Sequence, residues 1–335
     1  MTVVADPAVG PAPSRAASRP PDPRLAAVVA GIAGAAEGRL TDLGRSHLVH
    51  RVDASGGSVV VKRGGAEARA AGRTLDAELF VYRLAGWRHG VSGVLPEALL
   101  IDERRGVLVL AAAPPEHVGS ALLSAGWRPE PQVAAALGRS LAEVHEGTRG
   151  VPVPHEVSSG VLGLPEAGAA VLGLDRARGL AATVGRDPVL APVLRRAARS
   201  WTPSCLVHGD VKWDNCLVDR DATPPTVRLV DWELAGWGDP AWDLAAALAQ
   251  GSALALDEPA AADEGHAALV SGYASVAGRG VPARAARFWP GRVVHLALEC
   301  AEAGADDAAG QLLEAARELA AAGDALDDRV AAWTG

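Results

Sequence analysis

The sequence predicts an α+β chain in two lobes: a strand-rich first part, then a larger and mostly helical one. Three observations carry this. At 335 residues the chain is too long for one small core and suits two. Short β-branched or alternating runs crowd residues 40–110, whereas helical spacing of apolar residues dominates from Pro131 onward. The composition, 49% hydrophobic and 21% charged, is that of a globular protein rather than a disordered one.

In chain order, residues 1–24 are rich in Pro, Ala, Ser and Arg and predict a disordered tail. Leu25 to Glu37 predicts a helix; its Ala-rich run lacks a cationic leader and reads as a packed helix, not a signal peptide. Leu40 to Arg63 reads as a hairpin. His47 to Asp53 alternates apolar and polar side chains, Ser55-Gly56-Gly57 supplies the turn, and the valines of Ser58 to Lys62 favour a returning strand. Thr74 to Leu84 predicts a helix, with Leu75, Leu79 and Tyr82 at helical spacing and Thr74 as N-cap. Strands follow at Glu97 to Ile101 and Gly106 to Leu110, and Ala111 to Pro115 reads as a hinge. The division is therefore 1–24 tail, 25–112 N-lobe and 113–335 C-lobe. Pro131 to His145 predicts a helix, with Pro at its start and Gly147 after its end. Further helical stretches lie within Ser158 to Arg199. The region after Asp243 is helical almost throughout, with breaks expected near Gly251 to Pro259 and Gly278 to Pro290.

Charge and cysteine usage exclude several classes. A net charge of −8 without any basic tract argues against a nucleic-acid partner. No run reaches the ~20 apolar residues of a membrane helix. Three cysteines, an odd number without metal spacing, predict free thiols in a reducing cytoplasm. Only two lysines, Lys62 and Lys212, stand among 32 cationic residues. Where arginine serves for charge alone, these two positions mark a need for a compact ammonium.

The densest chemistry lies in LVHGDVKWDNCLVD at 206–219 and VRLVDWELAGWGDPAWDL at 227–244. Asp210, Asn215 and Asp231 each follow an apolar strand. An acid to orient and deprotonate a hydroxyl, and an amide and a second acid to hold metal on nucleotide phosphates, is what phosphoryl transfer from Mg-ATP requires. Hard cations prefer oxygen ligands, hence Asn and Asp rather than His and Cys.

These motifs, with Gly238-Asp239-Pro240 and Asp243-Leu244-Ala245, resemble the aminoglycoside phosphotransferase and choline kinase superfamily, which shares the protein-kinase fold. The resemblance implies that Lys62 grips the α- and β-phosphates of ATP. Its expected partner is Glu78, with Asp76 and Glu67 as alternatives. Gly44 and Ser46 sit where the family covers the phosphates, and Ala111 and Ala113 where hinge backbone meets adenine. Asp210 is implied as the base, Lys212 as a contact to the transferring phosphoryl or a loop cation, and Asn215 and Asp231 as Mg²⁺ ligands. His208 and Asp243 are expected to brace the loop, and Trp213, Trp232, Trp237 and Trp242 to pack the core. After Asp231, sixteen acids face six arginines, which suits a cationic, aminoglycoside-like acceptor or simply solvated helices. The lysine two residues after Asp210 also resembles kinases of ribosomally made peptide clusters, so a Ser/Thr peptide acceptor stays open. A catalytically inactive, nucleotide-binding pseudokinase is the third reading.

Overall fold

The computed structural model describes residues 39–42, 48–54, 57–64, 75–112, 116–117, 128–256 and 262–334. The expected tail, the 25–37 helix, and Gly44, Ser46, Glu67, Thr74 and Ala113 lie outside the described residues.

The first lobe is a five-stranded antiparallel sheet: β1 (Arg39–Asp42), β2 (Leu48–Ala54), β3 (Gly57–Arg63), β4 (Ala98–Asp102) and β5 (Val107–Ala111), in the spatial order β1-β2-β3-β5-β4. Alternation along β3 separates its two faces. Val59 and Val61 pack with Val52, Val107 and Val109 on one side. Val60 and Lys62 lie on the other, where Leu108 and Leu110 join the main core. That second face receives α1 (Asp76–Ala85), which buries Leu79 and Tyr82 as predicted and Val81 besides; its N-cap is Leu75, one residue later than expected.

The larger lobe is helical around a few short strands. Its helices are α2 (Pro131–Gly147), α3 (Arg178–Val184), α4 (Leu190–Ser200), α5 (Pro240–Leu254), α6 (Ala262–Ala277), α7 (Gly280–Glu302), α8 (Asp306–Ala322) and α9 (Asp324–Ala332). Besides these there are only single turns of helix among the described residues. The short strands are β6 (Glu116–His117), β7 (Cys205–Val207), β8 (Cys216–Asp219), β9 (Thr226–Leu229) and β10 (Gly236–Gly238). They pair as β6-β8-β9 and β10-β7. Every residue from Pro240 to Ala249 is buried, so α5 is the central helix of this lobe.

Three expected boundaries are corrected. Gly147 lies inside α2, and the C-cap is Thr148, whose hydroxyl donates to the Val144 carbonyl at 2.7 Å. α5 runs through Gly251 to Leu254. The second break is confined to Gly278 and Arg279, because Pro282 and Pro290 both belong to α7. Pro282 falls in the first turn, where its missing N–H has no helical partner to lose. Pro290 is buried with Trp289 and Gly291 in a tightly packed stretch, and tertiary packing holds the helix through it.

Candidate active site

Lys62 and Glu78 face each other across the contact of β3 with α1. The ammonium donates to both Glu78 oxygens, at 2.9 and 3.1 Å, and to Asp231 Oδ1 at 3.1 Å. Three donors thus meet three acceptors, which is the whole capacity of an ammonium. Glu78 is fully buried, whereas Asp76 is exposed and plays no part. Burial alone would lower the Lys62 pKa, but Glu78 and Asp231 together raise it above its ordinary value. Burial alone would raise that of Asp231, but the Lys62 charge holds it below the usual carboxylate range.

The loop after β7 is built by its backbone. Asp243, buried in the first turn of α5, accepts the N–H groups of His208 at 2.6 Å and Gly209 at 2.9 Å. Gly209 has φ +82°, and a Cβ there would meet the Leu234 carbonyl at 2.5 Å, so the position requires glycine. His208 Nδ1 accepts the Asp210 N–H, so Nε2 carries the proton and donates to the Val230 carbonyl at 3.0 Å. The ring therefore ties the Asp210 loop to the segment leading to Asp231 and is not placed for proton transfer. Asp239 caps α5, accepting the Ala241 N–H at 3.0 Å, and also binds the Thr202 N–H and Arg284.

Asn215 does not follow a strand as expected but precedes β8, at the end of a single helical turn, and Asp231 follows β9 by two residues. Cys216 pairs with Leu229, and the Val230 N–H donates to the Asn215 carbonyl at 3.0 Å, which draws the two positions together. The Asn215 Nδ2 donates to the Asp210 carbonyl at 3.0 Å. That bond fixes the amide with its oxygen turned away from Asp210. Asp231 adopts φ 68° and ψ 57°, a left-handed conformation rare outside glycine and a strain typical of functional sites. One amide and one carboxylate oxygen suit Mg²⁺, which takes most of its remaining ligands from phosphates and water. Lys212 donates to Asp210 Oδ2 at 2.6 Å. Burial works against the Lys212 charge, but Asp210 raises its pKa overall.

Six of the expected site residues therefore form one cluster: Lys62, Glu78, Asp210, Lys212, Asn215 and Asp231. Ala111 ends β5 with its N–H already given to the Glu97 carbonyl, so toward a nucleotide it could offer its carbonyl alone. Trp213, Trp232 and Trp242 are buried, and Trp232 packs 4.5 Å from the His208 ring; Trp237 is partly buried. Sequence reasoning missed His145 and Tyr273. His145 Nε2 meets Asp243 Oδ2 at 3.1 Å and its Nδ1 meets the Tyr273 hydroxyl at 2.8 Å, all buried. The legible signal was one histidine on the apolar face of α2, a turn after Leu141.

The sequence profile of the phosphotransferase enzyme family (APH) matches residues 38–279, and the chain belongs to that family. It is thus a phosphotransferase acting on a hydroxyl acceptor. No curated protein matches it in sequence. Among solved structures, it is similar to a choline/ethanolamine kinase family protein from Mesorhizobium loti (21% identity, 93% of this chain and 98% of that one, TM-score 0.60). It is also similar to an aminoglycoside phosphotransferase from Alicyclobacillus acidocaldarius (17%, 87% and 92%, 0.55). A third is a thermostable aminoglycoside phosphotransferase mutant in ternary complex with ADP and hygromycin B (15%, 89% and 98%, 0.54). At these identities the likeness establishes the two-lobed, kinase-like fold.

Proposed function

We propose that the chain transfers the γ-phosphoryl group of ATP, with Mg²⁺, to the hydroxyl of a small-molecule alcohol, an aminoglycoside or another polar alcohol. The carrying observation is the convergence of Asp210, Asn215 and Asp231 opposite the Lys62–Glu78 pair. The bound Mg-nucleotide supplies the transferred phosphoryl and the cation that offsets its charge. Asn215 and Asp231 would hold the metal, and Lys62, fixed by Glu78, would hold the phosphates. We assign the nucleotide to the lobe spanning 25–112 and the acceptor to 113–335. Asp210 orients the acceptor hydroxyl and takes its proton, while Asp243 and His208 keep its loop in shape. ADP and hygromycin B in a solved relative support both the nucleotide and the acceptor class.

The Lys212–Asp210 bond favours a second reading, a Ser/Thr kinase acting on a ribosomally made peptide. The test is phosphate transfer by purified protein to aminoglycosides, small alcohols and Ser/Thr peptides, with wild type and Asp210→Asn compared. A general base contributes ~10² to 10⁴ in rate, so kcat should fall at least that far, with ATP affinity little changed. An Asp210→Asn protein as fast as wild type at saturating Mg²⁺ and acceptor would remove Asp210 from the mechanism. Wild-type protein that binds ATP but transfers to none of these acceptors would support the pseudokinase reading instead.

A further inference from the structure

Arg292, on α7, is only 4% exposed. Among the described residues it makes no hydrogen bond or ion pair, and its Nε is closed off without a partner. Its guanidinium lies 4.6 Å from the centroid of the Trp242 ring, beside the loop-bracing Asp243. Phe288, one helical turn earlier, packs edge-on against the same ring. A guanidinium removed from water without an acceptor is costly, and a cation–π contact returns only part of that cost.

Trp242 is followed by Asp243, which accepts the Gly209 N–H at 2.9 Å one residue before Asp210, so Arg292 packs against the segment that braces the Asp210 loop. Three and seven residues along α7, on the same helical stripe, come His295 and Glu299, joined at 3.2 Å. Glu299 and Lys212 act on each other electrostatically, and Lys212 holds Asp210. Through Trp242 and Asp243 at one end and Glu299 and Lys212 at the other, the stripe is directed toward the Asp210 loop, where the acceptor hydroxyl would lie.

We propose that Arg292 receives an oxyanion, a carboxylate above all, carried by the acceptor beside the hydroxyl that is phosphorylated. The acceptor is then a hydroxy acid, and an amino group on the same molecule would face Glu299. The planar fork of the guanidinium matches a carboxylate in two parallel hydrogen bonds. An acceptor with positive charge alone would leave Arg292 unpaired. The placement of the acceptor rests on the phosphotransferase reading above.

The test compares binding of glycerate and serine with that of their methyl esters, by calorimetry on the Mg-ADP-loaded protein, in wild type, Arg292→Gln and Arg292→Lys. Phosphate transfer from ATP and thermal melting are measured alongside. The acids should bind wild type about ten- to a hundredfold more tightly than the esters. Arg292→Gln should erase that preference and Arg292→Lys reduce it; the lysine variant carries the test if the glutamine variant does not fold. Equal binding of acid and ester, or a preference that Arg292→Gln retains, overturns the proposal. So does transfer to esters and aminoglycosides as fast as to the acids, an outcome that leaves the phosphotransferase reading intact. Acid binding that follows Arg292 in a protein that transfers no phosphate supports the anion site and counts against that reading.

Discussion

The Lys62 ammonium spans the two lobes. It saturates its donors on Glu78 and Asp231 in a site with 7% exposure. A guanidinium is larger, planar and unable to aim three donors at one point. Lys62→Arg should therefore cost turnover severely despite keeping the charge, by ~10²-fold or more in kcat/KM; wild-type kinetics in that variant would make the lysine scarcity an accident. Asp231 is both a partner of Lys62 and a candidate metal ligand, so Asp231→Ala should lower transfer by at least ~10²-fold while the protein remains folded. Circular dichroism with steady-state kinetics checks both conditions, and near-normal rates would sink the ligand assignment. These residues could be found in the chain because each is fixed by local spacing: an acid just past an apolar strand, a lysine ending a valine run. Glu78 was legible for the same reason, since α1 is periodic enough to place it toward the sheet. Arg292 and Tyr273 gave no such signal, and His145 only that of a lone histidine on an apolar helix face, since what matters about them is what they meet in space.

At the scale of elements, the contact of α2 with α6 depends on two glycines. A Cβ at Gly138 would lie 2.1 Å from the Leu269 carbonyl oxygen, and one at Gly272 would lie 2.2 Å from that of Ala135. Both are backbone atoms and cannot rotate away. The same contact brings Tyr273 to His145 and so supports Asp243. Gly138→Ala should thus destabilise the protein by ~1–3 kcal/mol through overpacking, despite the better helix propensity of alanine. A urea midpoint unchanged or raised in Gly138→Ala would contradict the close approach. The hairpin, α1, and strands β4 and β5 were legible because each carries its own period. Helix α5 was harder to orient, since with every residue from Pro240 to Ala249 buried no polar face marks a direction. Pro290 was misread as a break because local rules forbid proline in a helix interior, whereas packing around Trp289 and Gly291 overrides them.

Over the whole molecule, paired carboxylates set an acid limit to stability. Burial would raise the pKa of Asp243, but His145 and the His208 N–H hold it below the ordinary 3.8; Lys62 does the same for Asp231. A carboxyl depressed in the folded state contributes stability that is complete above its unfolded pKa and lost as pH falls through its folded one. Their share of stability should therefore hold from neutral pH down to about 4 and decline below it. Urea midpoints from pH 6 to 2 would follow this, and Asp243→Asn should flatten the decline. A variant with the same acid profile as wild type would show that Asp243 titrates elsewhere. Asp243→Ala leaves His145 and two N–H groups without their acceptor and should cost ~3 kcal/mol or more.

The sequence by itself determined the chemistry of the loop and the order of the elements. His208, Gly209, Asp210, Asn215, Asp231 and Asp243 lie within one stretch of chain, where spacing along two apolar strands dictates geometry. Only the tertiary structure decided that Asp231 joins Glu78 on Lys62, how Asp243 is held from behind by His145 and Tyr273, and that Arg292 of α7 lies over Trp242. Those relations join residues far apart in the chain, Lys62 with Asp231 and His145 with Asp243. Their distances are set by how the sheet, α2, α5, α6 and α7 pack around a shared core, which no local period encodes.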